Sequence, residues 1–304
     1  MSIKISLGLP VFNEVKFLDL TLQSILSQTY EEFELIIVDN ASSDGSYELL
    51  QEIAKKDKRI KLFRNEKNLG ENENFNLTFK YSSGDYFMWI GAHDIYENDY
   101  LSLLIEKLNE GNFSYDLIFS NISNIDDEGM IIQKKKEIGF EFNNSNLITR
   151  MIKLPWVLIG SGDMVMGLFS RKALERTNIF SENVLWPDNL LIHQIASMGN
   201  IARVEQVLRA RRYFREEKFD NWDKKYIHLV NRYRSSRGER KIGIMLRLPI
   251  FSMFLLIIYR IGIVNMLRNP LMLFLSLYIA TIYLWKHRVP LWIDFRMLFS
   301  LTKY

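Results

Sequence analysis

No cysteine occurs anywhere in the 304 residues. Disulfides and thiolate metal sites are thereby excluded, and the composition fits a reducing compartment. A secretory signal is also missing: Met1–Pro10 has no basic stretch followed by a long apolar one, which predicts a cytoplasmic location. No internal repeat or low-complexity tract interrupts the chain. Long hydrophobic runs are scarce too. The two longest uncharged apolar stretches, Leu248–Tyr259 and Asn269–Trp285, span 12 and 17 residues, short of the about 20 that a spanning helix needs.

Charge is plentiful but divided. Residues 1–202 hold 19 Lys+Arg against 29 Asp+Glu, a balance of −10, and residues 203–304 hold 20 against 7, a balance of +13. A basic half points to an anionic partner. From about Arg232 the basic residues flank apolar runs, with Arg247 and Arg260 around the first and Lys286-His287-Arg288 closing the second. Arg247 and Arg260 would fall on well-separated faces of one straight helix, and Pro249 argues against its continuity. A pair of interfacial or shallow re-entrant helices with basic side chains at lipid headgroups fits this pattern. The alternative is a helical hairpin packed on the first domain or in a homo-oligomer interface. Nucleic-acid binding is disfavoured, because the arginines alternate with Leu/Ile/Phe runs instead of clustering on a polar face.

Upstream, strand and helix patterns alternate. Ile3–Leu9 reads as a strand stopped by Pro10, Phe17–Gln28 as an amphipathic helix, and Glu34–Val38 as a strand buried on both faces. Tyr47–Lys56 (helix), Arg59–Phe63 (strand), Phe75–Tyr81 (helix) and Tyr86–Ile90 (strand) follow, then Asp99–Leu108 (helix) and Tyr115–Ser120 (strand). The periodicity then weakens to a hairpin over Ile125–Glu137 and a helix over Asn189–Met198. Such alternation predicts a mostly parallel α/β sheet with helices on both faces. The division falls at residue 215: a sheet domain over 1–215 and a basic, apolar helical region over 216–304.

Open parallel sheets bind ligands beyond the carboxyl ends of their strands. Three such ends carry polar residues: Pro10-Val11-Phe12-Asn13-Glu14, Asp39-Asn40-Ala41-Ser42-Ser43-Asp44-Gly45 and Gly91-Ala92-His93-Asp94. Singly, each could be ordinary turn and capping chemistry, and Asp44-Gly45 reads best as a helix start.

Together with Asn65, Asn68-Leu69-Gly70, Asn74 and Ser83-Gly84-Asp85-Tyr86, these motifs resemble the inverting family 2 glycosyltransferases of GT-A fold. The resemblance is strong over about residues 3–120, weaker to about 215 and absent beyond. It implies a nucleotide pocket lined by Pro10, Phe12 and Glu14. Asp39 would accept the imide N–H of the base, usually uracil, and Asn68 and Gly70 would lie beneath the nucleotide. A sugar nucleotidyltransferase would instead open with a glycine-rich phosphate loop, which Pro10–Glu14 lacks.

The family usually carries Asp-x-Asp-Asp where this chain has Gly91-Ala92-His93-Asp94. The resemblance therefore implies Mn²⁺ or Mg²⁺ held by Asp94 or His93, with His93 as a strand cap and phosphate donor the alternative. An inverting enzyme also needs a base for the acceptor hydroxyl. Asp188, in Trp186-Pro187-Asp188-Asn189, matches one position of the family's Glu-Asp pair; helix capping is its plain role. Asp163, in Gly160-Ser161-Gly162-Asp163, competes from the acceptor side. Arg212, in Arg211-Arg212-Tyr213-Phe214-Arg215, would face the diphosphate or be a surface turn. The Gln-x-x-Arg-Trp motif of polymer-making members is missing, which favours transfer of a single sugar.

The expected activity is transfer of one sugar from a UDP-sugar to a polyprenyl-linked acceptor in bacterial surface-glycan assembly. The tail would bring the site to the anionic cytoplasmic face of the plasma membrane. The reading from a different class, prompted by Gly91 and His93, is an inactive nucleotide-sugar-binding scaffold, which would show no donor hydrolysis.

Overall fold

The computed structural model describes residues 3–134, 146–157, 161–180, 186–212, 224 and 249–286. Tyr213-Phe214-Arg215, Gly160, Arg247 and His287-Arg288 lie outside them, as do the last three residues of the expected hairpin.

Short runs rich in Leu, Ile, Val and aromatic residues make the parallel strands. β2 (Phe33–Asp39) is buried at every position, as a central parallel strand must be. β1 (Ile5–Val11) runs beside it in parallel, Ile5 opposite Phe33 and Val11 opposite Asp39. β3 (Ile60–Arg64) flanks β2, and β4 (Tyr86–Trp89) flanks β1, both in parallel. Helices α1 (Val15–Leu26), α2 (Ser46–Ala54) and α3 (Glu71–Lys80) alternate with these strands along the chain. Leu18, Leu22 and Ile25 of α1 share a core with Leu7, Leu9, Leu35 and Ile37, while Leu77 of α3 packs with Ile36 and Val38. The alternating inward and outward residues of β2 thus fill two layers.

β1 does not stop at Pro10; it continues to Val11. The carbonyl of Gly8 accepts from Ile90 on the β4 side, so Pro10, two residues on, points the same way. The last β1–β4 pair is Gly8 with Trp89. Pro10 therefore lacks a donor only where no neighbouring strand would use it.

Beyond β4 the sheet becomes mixed. Its order is β3-β2-β1-β4-β8-β6-β9-β5, with β7 (Ile131–Lys134) attached to β6. β8 (Leu168–Ser170) is antiparallel to both β4 and β6 (Tyr115–Ile125). β9 (Asn200–Arg212) is parallel to β6 and antiparallel to β5 (Ile95–Tyr96). Strands of two or three residues carry no readable periodicity, which is why the sequence shows β6 and its hairpin with β7 but neither β5 nor β8. α4 (Tyr100–Glu110) follows β5.

The chain forms two compact units. The first, Met1–Ser145, Gly160–Phe180 and Met198–Phe214, contains the sheet. The second joins Arg215–Tyr304 to two earlier stretches, Asn146–Ile159 and Ser181–Ser197. Among the described residues its helices include α5 (Leu147–Val157), most of α7 (Pro187–Met198), α8 (Pro249–Ile257) and α9 (Leu271–Lys286); the short α6 (Arg171–Leu174) belongs to the first unit. Pro249 opens α8, a position that needs no N–H donor. After α8 the helix widens into a π segment, Ile258–Ile263, whose freed carbonyls at Arg260 and Ile261 accept from the Asn265 amide. A Cβ on Gly262 would lie 2.2 Å from the Ser276 hydroxyl, so glycine permits this close approach to α9. Among the described residues no helix is long and apolar enough to cross a membrane.

Candidate active site

Four loops meet beyond the carboxyl ends of β1 to β4. Asn13 adopts φ +56° in the first, which lets its backbone N–H reach Ser42 Oγ (3.0 Å) and its Oδ1 accept from Ser43 N (2.9 Å). Asp44 accepts from Val15 N at 3.0 Å, covering one of the open donors of α1, and from Ser46 N and Oγ. Partial burial alone would raise its pKa; these bonds lower it. Asp44 thus ties two loops together, the helix-start role expected of it.

The third loop is held by asparagines. Asn40 donates to Asn68 Oδ1 (2.8 Å) and the Gly70 carbonyl (3.3 Å), and its Oδ1 accepts from Asn65 Nδ2 and Leu69 N, each at 2.9 Å. Asn74 bonds the carbonyls of Val11 and Val38, linking the loop to both central strands. Gly70 sits at φ +91°, ψ +162°, where essentially only glycine is comfortable. Asn68 therefore shapes the loop through its own side chain, and Gly70 supplies the turn.

Asp39 ends β2 fully buried. Its Oδ2 accepts from Ser42 N (3.2 Å) and lies 3.4 Å from Arg64 Nε. Its Oδ1 has no hydrogen-bond partner among the described residues. A buried carboxylate oxygen without a donor is costly, so this one is open to an N–H or O–H donor. Pro10 lines the same strand end half-buried, and the Phe12 ring is exposed in the adjoining loop.

The fourth loop differs in character. Glu14 and His93 face each other, with Nδ1 3.3 Å from both carboxylate oxygens. Burial lowers the His93 pKa, but the bond to Glu14 and the nearby Asp94 charge outweigh it, so the net direction is upward. Asp94 itself is buried. Its Oδ1 accepts from Arg212 N (3.2 Å), and its Oδ2 lies 3.7 Å from Arg209 Nη1. A side chain at position 91 would collide with that carboxylate, since a Cβ there would be 2.7 Å from Asp94 Oδ2. Gly91 thus permits Asp94 to fold back toward Arg209.

Arg209 is buried and also reaches Asp163 Oδ1 at 3.3 Å, which Arg211 approaches at 3.4 Å from a more exposed position. Asp163, in the 3₁₀ turn Ser161–Met166, is therefore part of an ion cluster with two arginines of β9. Arg212 donates to the carbonyls of His93, Asp126 and Asp127 and lies over the Phe17 ring. It clasps two loops and helix α1 together. Asp188 stands in the first turn of α7, in the second unit.

These side chains do not form a ready divalent-cation site. Asp94 is already balanced by a guanidinium, only His93 and Glu14 adjoin it as softer and harder donors, and no group of three or more His, Asp or Glu suited to a metal occurs among the described residues. Arg209 was not singled out from sequence. Its signal is an arginine between the apolar Leu208 and Ala210 of a strand, where a buried charge requires a partner.

The sequence profile of the glycosyl transferase family 2 matches residues 6–177. An uncharacterized glycosyltransferase of Rickettsia bellii is 32% identical over 183 residues, 60% of this chain and 24% of that protein. A Campylobacter jejuni protein named GalNAc(5)-diNAcBac-PP-undecaprenol beta-1,3-glucosyltransferase is 31% identical over 145 residues, 47% of this chain and 43% of the relative. The chain thus spans less than half the length of either. Staphylococcus aureus TarS 1-349, solved in complex with UDP-GlcNAc, superposes with a TM-score of 0.57 at 15% identity, covering 92% of this chain and 89% of that one. That likeness is one of fold: a GT-A-like α/β arrangement with a mixed sheet.

Proposed function

Because the chain belongs to glycosyltransferase family 2, we propose that it transfers a single sugar, with inversion, from a UDP-sugar to a lipid-linked glycan acceptor in bacterial glycan assembly. The observation that carries the donor half is Asp39, whose buried Oδ1 lacks a donor at the carboxyl end of β2. Uracil offers an imide N–H suited to that acceptor. Phe12 supplies an exposed ring for the base, and the Asn68–Gly70 turn supplies a surface under it.

On the phosphate side, the described donor set does not fit a resident divalent ion. Arg211, the more exposed arginine of the Asp163 cluster, and the His93 ring at the β4 strand end are side chains that could bind a diphosphate. Asp188 is the base that removes the acceptor proton as its oxygen attacks the anomeric carbon. The Campylobacter relative's lipid-linked substrate and the basic tail support the acceptor class. A tail at the membrane would hold the enzyme on the cytoplasmic face.

A thermal-shift panel of UDP-, GDP- and dTDP-sugars tests the proposal. Binding to the native state raises the melting temperature, so UDP compounds should shift it most. Equal shifts with all three bases would remove Asp39 as the base reader.

A further inference from the structure

Two helices of the second unit expose apolar stripes where an ordinary surface would be polar. On α9 the exposed positions include Leu271, Phe274, Leu277 and Trp285, spaced to lie along one side of the helix, while Met272, Leu275, Ile279 and Tyr283 are buried on the other. On α5, Ile148, Ile152 and Trp156 recur every four residues and are likewise exposed. The stripes adjoin. The Trp156 and Trp285 rings lie 6.0 Å apart although 44% and 56% exposed, and the Trp156 indole N–H donates to Tyr278 Oη at 2.8 Å. Lys286 bonds the Pro155 carbonyl and lies 5.5 Å from the Trp156 ring centroid. A continuous apolar face with a tryptophan pair and a lysine at its edge results.

We infer that this α5–α9 face docks on an anionic phospholipid bilayer and lies along it without crossing. Three observations select that occupant over a second protein surface. α5 and the helical region 249–286 contain no acidic side chain, and of their basic ones Lys153 and Arg268 are exposed and Arg260 and Lys286 half-buried, with Arg150 buried, so the electrostatic complement is anionic. The indoles stand where apolar and polar surfaces meet, and tryptophan is enriched at the membrane interface for that reason. α9 has 16 residues, about 24 Å of helix, against a hydrocarbon core of about 30 Å. Its length and exposed stripe suit a helix resting in the headgroup layer. The inference deepens the lipid-linked acceptor reading, since it names the surface that would bring the enzyme to such a substrate.

Vesicle co-sedimentation of the full chain tests it without donor or acceptor, so a negative result leaves the nucleotide site standing. Vesicles of phosphatidylcholine alone are compared with vesicles containing phosphatidylglycerol. The wild type should partition at least about tenfold more strongly onto the anionic vesicles and lose that gain as salt rises. Phe274 is 68% exposed, so Phe274→Glu should leave the melting temperature intact and weaken partitioning by about tenfold or more. Quenching of tryptophan fluorescence by brominated lipids, reduced in Trp285→Phe, gives a second readout that needs no charge change. Failure of the wild type to bind anionic vesicles overturns the inference, and so does unchanged binding by Phe274→Glu. A dimer in solution that Phe274→Glu dissociates, with no vesicle binding, would assign the face to a second copy.

Discussion

Replacing Asp39 by Asn should separate recognition of the base from everything else in the site. The wild-type carboxylate uses Oδ2 for Ser42 N–H and the Arg64 guanidinium, leaving Oδ1 for a ligand. An amide has one oxygen. If that oxygen keeps the Ser42 N–H, the NH₂ group occupies the place of Oδ1 and meets the uracil imide N–H donor to donor. Losing a hydrogen bond to a charged group costs about 1.5–3 kcal/mol, so UDP should bind roughly ten- to 150-fold more weakly. Cytosine reverses the sign, because its N3 accepts where uracil's donates. The preference for UDP over CDP should therefore shrink or invert in Asp39→Asn, an effect that general loosening of the loop would not produce. Calorimetric titration of both nucleotides into both proteins, with melting curves as a fold control, measures it. A variant that binds UDP within about threefold of wild type and keeps the same base preference would refute the assignment.

Asp188→Asn should lower the transfer rate by about 10²- to 10⁴-fold while leaving UDP affinity unchanged; retention of rate within about tenfold would remove Asp188 as the base. Calorimetry of UDP binding with and without Mn²⁺ tests the phosphate side: with Asp94 balanced by Arg209, affinity should change by less than about threefold, and a larger gain would show that the carboxylate leaves Arg209 for the ion. His193 of α7 is buried, its Nε2 has no partner among the described residues, and burial foremost, with the Lys286 charge, pushes its pKa to about 4. The unfolded chain takes up that proton near the ordinary value of 6.5, so stability present above pH 6.5 is lost as pH falls toward 4. The loss between pH 7.5 and 5 should be about 2 kcal/mol, and His193→Gln should flatten that slope in urea unfolding; an unchanged slope would show that His193 is protonated in the native state.

How far the sequence could be read depended on how each residue finds its partners. The β1-to-β4 half was legible because its strands and helices are long enough to show periodicity, and its loops follow each strand in order. The places of Asp39 at the end of β2 and of the Asn68–Gly70 turn before α3 were legible for the same reason: their surroundings are local in sequence or supplied by the next strand. Of the mixed half only β6 and its hairpin were legible, since β5 and β8 are two and three residues long and β6 also pairs with a strand whose partner residues lie about 85 positions away. The same distance hid the chemistry of Asp94. Its neighbours in sequence, Gly91 and His93, read as an impaired metal motif, whereas its charge partner Arg209 arrives from β9, more than a hundred residues downstream. Asp163 is drawn into that cluster from a third segment. A motif read along the chain shows Asp94 beside His93; only the fold shows that Asp94 also faces the Arg209 guanidinium.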